Sequence, residues 1–141
     1  MPRRDPGPAC AAAGPVLAGI LAARPAEDVL RCAFAEAQRR DVALHVLLAG
    51  PASAAGEEIL VRDLVDRWAE KYPAVPVTVS VRHDVDAAIT LTGASRRCGL
   101  VVVAEPADSH DAAVVQALSR RARCPLMIVA PDQGHGAVLS A

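Results

Sequence analysis

The sequence predicts an α/β fold: a three-layer, doubly wound sandwich around a five-stranded, mostly parallel sheet. Three observations carry that expectation. Five short apolar runs rich in β-branched residues recur along the 141-residue chain, segments of helical period separate them, and several runs are apolar nearly throughout. The last feature marks strands covered by helices on both faces.

The first run, Val16 to Leu21 (VLAGIL), reads as a strand. The helix after it spans Pro25 to Arg40, with Val29, Leu30, Ala33, Phe34 and Ala37 on one stripe. Glu27 and Asp28 in its first turn and Arg39 and Arg40 in its last complement the helix dipole. ALHVLLA (43–49) is the second strand. A second helix is expected over 54–72, burying Ile59, Leu60, Leu64, Val65 and Trp68, with Ser53 as cap and Pro73 as stop. VPVTVSV (75–81) alternates in polarity, which places it near an edge of the sheet. A third helix begins after Asp84, carries Val85, Ala88 and Ile89, and is weakened at its end by Gly93. LVVVA (100–104) is the fourth strand. The fourth helix, from His110 to Arg121, is capped by Asp108 or Ser109 and faces inward with Val114, Ala117 and Leu118. PLMIVA (125–130) closes the sheet as an apolar edge strand, and an exposed edge of that kind needs a partner.

Residues 1–14 read as a flexible leader, 15–131 as the domain, and 132–141 as a flexible tail. The apolar stretch from Ala9 to Ala23 behind two arginines has the outline of a signal peptide. Asp5 and the prolines at 2, 6, 8 and 15 interrupt that outline, and cleavage would delete the first strand. No apolar run has the length of a bilayer span, so no membrane partner is expected. Fifteen basic and sixteen acidic residues leave a net charge of −1, and only Phe34, Trp68 and Tyr72 are aromatic. Neither a phosphate-seeking field nor a base-stacking surface is available, which argues against nucleic acid. Cys10, Cys32, Cys98 and Cys124 are scattered, as reduced thiols of a cytoplasmic protein are. The histidines lack the spacing of a zinc site, so no metal is expected.

Within 15–131 the residues resemble the universal stress protein family. PVLAGI, a helix ending EAQRRDVALHVLLA, the stretch WAEKYPAVPVTVSVRHDVDAAI, and LVVVA followed by RRARCPLMIVAP are similar to its successive elements. The resemblance implies strand order 3-2-1-4-5 and a homodimer formed through the last strand, Leu126 to Val129. It also implies where a nucleotide would bind. Nucleotide-binding members carry an aspartate after the first strand, and a GxxG loop with a later G[ST] after the fourth. Glycines there let backbone amides approach phosphates at a helix N-terminus. In this chain Leu21 stands at the aspartate, Ala112 and Ala113 stand at G[ST], and no glycine lies between 100 and 133. Glu105, Asp108 and Asp111 instead bring negative charge, with no Lys or Arg in 100–119.

The expected function is accordingly that of a universal stress protein-like, non-enzymatic stress-response dimer that acts through protein contacts, without a cofactor. One alternative is an ATP-binding protein with a non-standard crevice around Leu21, Ala49 and Ala104. The other is a thiol sensor, because Arg96 and Arg97 flank Cys98 and would favour its thiolate, while Cys124 stands at the entrance to the last strand. Ser109, His110 and Asp111 contain the letters of a hydrolase triad, but adjacent residues diverge and a helix cap is the simpler reading. His83, Asp84 and Asp86 would supply metal ligands; Asp84 as a cap accounts for them more simply. His45 reads as a satisfied strand histidine, Trp68 and Tyr72 as a packed pair, and Arg120, Arg121 and Arg123 as partners of a helix dipole.

Overall fold

The computed structural model describes residues 14–21, 26–49, 55–82, 86–106, 108–122, 124–130 and 136–139. Strands β1 (Val16–Ile20), β2 (Leu44–Ala49), β3 (Val77–Arg82), β4 (Leu100–Ala104) and β5 (Leu126–Val129) alternate with helices α1 (Ala26–Arg40), α2 (Ala55–Lys71), α3 (Ala87–Ser95) and α4 (Ser109–Arg121). The five strands are parallel and ordered 3-2-1-4-5, as expected.

Alternation along the strands divides the core in two, because successive side chains leave a strand on opposite faces. Val16, Ala18, Ile20, Val46, Leu48 and Val102 join Phe34 and the α1 stripe in one cluster, with α2 residues behind them. Leu17, Leu47, Val101 and Val103 join Leu91 of α3 and Val114, Val115 and Leu118 of α4 in the other. Gly19 faces this second layer, where an added Cβ would meet Leu91 Cδ2 at 3.0 Å and Val103 Cγ1 at 3.1 Å. The lack of a side chain there lets α3 approach the sheet closely.

Local chemistry sets the ends of the helices. Asp41 has φ of 59° and ends α1 in the left-handed region. Its N–H donates to Gln38 O at 3.1 Å, and that of Val42 donates to Ala37 O at 3.0 Å. This is the Schellman arrangement, in which glycine is the usual occupant of the left-handed position. Glu36 on α1 accepts from Arg39 at 2.7 Å and from Arg40 at 3.2 Å.

Four expectations require correction. On α2, Ile59 and Leu60 are 66% and 57% exposed; the buried stripe is Val61 and Val65, flanked by Leu64, Trp68 and Tyr72. The apolar residues cover more than one side of α2, and packing against α1 selects the stripe that contains Val61. On α3, Ile89 is 63% exposed while Ala87 and Leu91 are buried. Its cap is Asp86, which accepts from Ala88 N at 2.8 Å, rather than Asp84, which lies outside the described residues with His83 and Val85. On α4, Val115 joins Val114 and Leu118 in the core, whereas Ala117 is half-buried.

The fourth correction concerns the tail. Residues Gly136–Leu139 form a sixth strand, β6, antiparallel to β5, with Leu126 opposite Leu139 and Val129 opposite Gly136. The segment expected to be loose therefore supplies backbone partners to β5, so Leu126–Val129 is not an open edge. The edge expected at β3 is present on the opposite side of the sheet. Leader residues 1–13, Cys10 and Ser53 lie outside the described residues.

Candidate functional site

Strand β1 lies between β2 and β4, where the chain order reverses from one side of the sheet to the other. In open α/β sheets this reversal leaves a crevice beyond the carboxyl ends of the strands. Leu21, Ala49 and Ala104 stand at the ends of these three adjacent strands, as expected. Leu21 packs against the second core layer and Ala104 against the first, while Ala49 is buried. Each places a hydrocarbon side chain at the end of its strand.

The N-terminus of α4 follows β4 beside this crevice. Asp108 caps it, its carboxylate accepting from Asp111 N at 2.8 Å. The Asp108 carboxylate thus satisfies one of the backbone donors at this helix end. Burial and then the charge of Asp108 hold the Asp111 carboxyl above its ordinary range, against a weaker opposing pull from His110. Ala112 and Ala113 are exposed in α4, and Glu105 is exposed after β4. Ser109 and His110 are exposed in the first helical turn, in keeping with the cap reading.

Both candidate thiols lie deep in the second layer. Cys98 is 3% exposed, donates to Ala94 O at 3.3 Å, and is pushed up to about 11 by burial. Burial, rather than the neighbouring Arg96 and Arg97 that the thiol-sensor alternative invokes, sets the direction in which the Cys98 pKa moves. Cys124 is buried, with its sulfur 3.7 Å from Ser95 O. Among the described residues no cluster of three or more metal-ligating side chains occurs, and no helix is long and apolar enough to cross a membrane.

A second concavity lies on the α3 side of β2 and β3. It encloses about 730 Å³ and includes His45, Ser80, Arg82, Ile89, Arg96 and Arg97 in its lining. His45 Nε2 and Ser80 Oγ are 3.0 Å apart, and burial pushes the His45 pKa down, so the ring is neutral at pH 7. Sequence analysis did not assemble this surface. Its signal was present in the polar alternation of Thr78, Ser80 and Arg82.

No family model and no curated protein matches the chain. Solved structures do. A universal stress protein from Archaeoglobus fulgidus in complex with dAMP matches with a TM-score of 0.55 at 20% identity, covering 82% of this chain and 97% of that one. A universal stress protein in complex with cAMP gives 0.64 at 18% identity, covering 83% and 97%. A protein of the universal stress protein family from Burkholderia pseudomallei gives 0.54 at 22% identity, covering 88% and 98%. The fold is therefore that of the universal stress proteins.

Proposed function

We propose that this chain serves as a universal stress protein that has lost the nucleotide site and acts, without catalysis, through contacts with other proteins. The observation that supports this reading most directly is the α4 N-terminus, where Asp108 accepts from the Asp111 amide and the two carboxylates sit together. Two of the similar structures hold dAMP or cAMP. Here Leu21, Ala49 and Ala104 offer such a ligand no polar side chain, and the nearest carboxylates oppose its phosphate. The protein is read as cytoplasmic, in line with its scattered thiols.

The self-association implied by the family resemblance is retained with a different edge. With β6 in place, the outermost strand on the β5 side is Gly136–Leu139, and two copies would pair there across a two-fold axis.

A thermal-shift titration with ATP and Mg²⁺ tests the lost-site reading. A ligand present at 100 times its Kd stabilises a fold by about 2.7 kcal/mol. An unchanged melting temperature at millimolar ATP is expected. A saturating upward shift would overturn the reading and restore a nucleotide-binding function built on a non-standard crevice.

A further inference from the structure

The net charge of −1 conceals a separation of charge along the layer formed by α3 and α4. Between residues 86 and 131 the only carboxylate side chains are Asp86, Glu105, Asp108 and Asp111, and every Arg or Lys is Arg96, Arg97, Arg120, Arg121 or Arg123. The carboxylates flank the starts of the two helices; Arg96 and Arg97 follow α3, and Arg120 and Arg121 close α4. Both helices run from the carboxyl ends of parallel strands back to their beginnings, so the acidic and basic ends lie on opposite sides of the layer. At 1.5 Å per residue α3 and α4 hold those ends about 13 and 20 Å apart, beyond the screening length of about 8 Å at physiological salt, so neither end neutralises the other. The two helices pack together, and Cys124 Sγ, just beyond α4, lies 3.7 Å from the O of Ser95, the last residue of α3. The two pairs of arginines are therefore neighbours, and all four side chains are exposed. Among the described residues no carboxylate pairs with any of them. The two helix dipoles bring about half a negative charge each to this end, against four guanidinium groups, so the surface stays positive.

We infer that the arginine ends of α3 and α4 form a docking surface for an acidic segment of a partner protein, with one pair of carboxylates on Arg96 and Arg97 and a second pair on Arg120 and Arg121. Packed helices lie about 8 to 10 Å apart, which about three residues of extended chain span, so two acidic pairs separated by a single residue match the two arginine pairs. Guanidinium groups bind carboxylates through paired, charge-assisted hydrogen bonds, which gives the contact direction as well as strength. The surroundings favour a protein over other polyanions. Phe34, Trp68 and Tyr72, the chain's aromatic residues, belong to the cluster on the other face of the sheet, so no base could stack beside these arginines. The large apolar residues exposed among the described ones, Ile59, Leu60 and Ile89, stand on α2 and in the first turn of α3, and none is placed to enter a bilayer together with this surface. The inference rests on the protein-contact reading above and supplies the surface and the chemistry of the partner.

Panning a random peptide library against the full chain tests it, followed by fluorescence anisotropy of the enriched peptides. Enrichment of peptides with two clusters of Asp or Glu is expected, with an affinity that falls as salt rises. Arg96→Glu/Arg97→Glu and Arg120→Glu/Arg121→Glu should each weaken them by roughly tenfold or more, whereas Arg62→Glu/Arg67→Glu on α2 should leave them unchanged. Peptides with Lys in place of the acidic residues should regain affinity for the charge-reversed proteins. Where melting curves show that a reversal destabilises the fold, the corresponding Arg→Gln pair reads the same loss. Sensitivity to only one of the two arginine pairs overturns the joint surface. Enriched peptides without acidic clusters, or acidic peptides indifferent to both reversals, overturn it while leaving the protein-contact reading standing. An empty library overturns it as well. So does binding of a single-stranded oligonucleotide or of phosphatidylserine vesicles that the arginine reversals abolish in the absence of peptide binding. The ATP titration judges the loss of the nucleotide site independently of all these outcomes.

Discussion

Selective alkylation tests whether any thiol here is poised to react. The thiolate is the nucleophile, and its fraction falls tenfold for each unit that a pKa rises above a fixed pH. Burial pushes Cys98 from 9.0 to about 11, so at neutral pH it holds about a hundredfold less thiolate than an unperturbed thiol. Its sulfur also donates to Ala94 O at 3.3 Å, and only 3% of the residue is exposed, so reagent reaches it chiefly through local opening. Cys32 is half-buried; burial raises its pKa as well, but Arg31 pulls it back. Iodoacetamide should therefore label Cys32 well before Cys98 in the folded protein, and all thiols at similar rates in denaturant. Quantifying each labelled peptide by mass spectrometry, we expect Cys98 to be slowed by at least about a hundredfold relative to its rate in the unfolded chain. Replacing Arg96 and Arg97 by Ala should leave that rate unchanged. If Cys98 outran Cys32, or slowed markedly on loss of the arginines, the argument that burial outweighs the neighbouring charges would fail and a thiol sensor would return.

Asp108→Ala removes the α4 cap and should cost about 1 kcal/mol, read as a lower melting temperature; an unchanged value would mean that solvent satisfies that helix end equally well. Asp41→Gly relieves a left-handed backbone position and should raise stability by up to about 1 kcal/mol in urea unfolding, and a loss would place the strain elsewhere. Burial lowers the folded-state pKa of His45 below the unfolded value of about 6.5, so the folded state binds fewer protons. Stability should be full above that value and decline as pH falls through it toward the folded pKa; His45→Gln should flatten this window, and parallel melting curves for the two proteins would exclude His45 as the cause. Ending the chain at Ala130 removes β6, the strand on which two copies are proposed to pair, so light scattering should show loss of the dimer; an unchanged mass would show that β6 does not form that contact.

The parallel core was legible because its signals are local and redundant. Period-two alternation and helical stripes recur in every unit, and α1 illustrates this: the expected Val29, Leu30, Ala33, Phe34 and Ala37 are all buried. α2 was misphased because Ile59, Leu60, Val61, Leu64, Val65 and Trp68 offer more than one apolar side, and only the neighbouring helix and strand decide among them. β6 escaped for a related reason. Four residues behind a Pro, Gly and polar stretch carry little local propensity, and their pairing with β5 is a tertiary fact. The two candidate sites divide along the same line. The nucleotide crevice depends on residue types at fixed offsets, so the absence of glycine between 100 and 133 and the presence of Leu21 could be read directly. The β3 groove depends on where a nine-residue helix stops covering a sheet. Arg82 stands fourteen positions before Arg96, and only the return of the chain through α3 makes them opposite ends of one surface. A motif of fixed residue types can be sought in the letters; a groove made by incomplete coverage appears only once the layers are assembled.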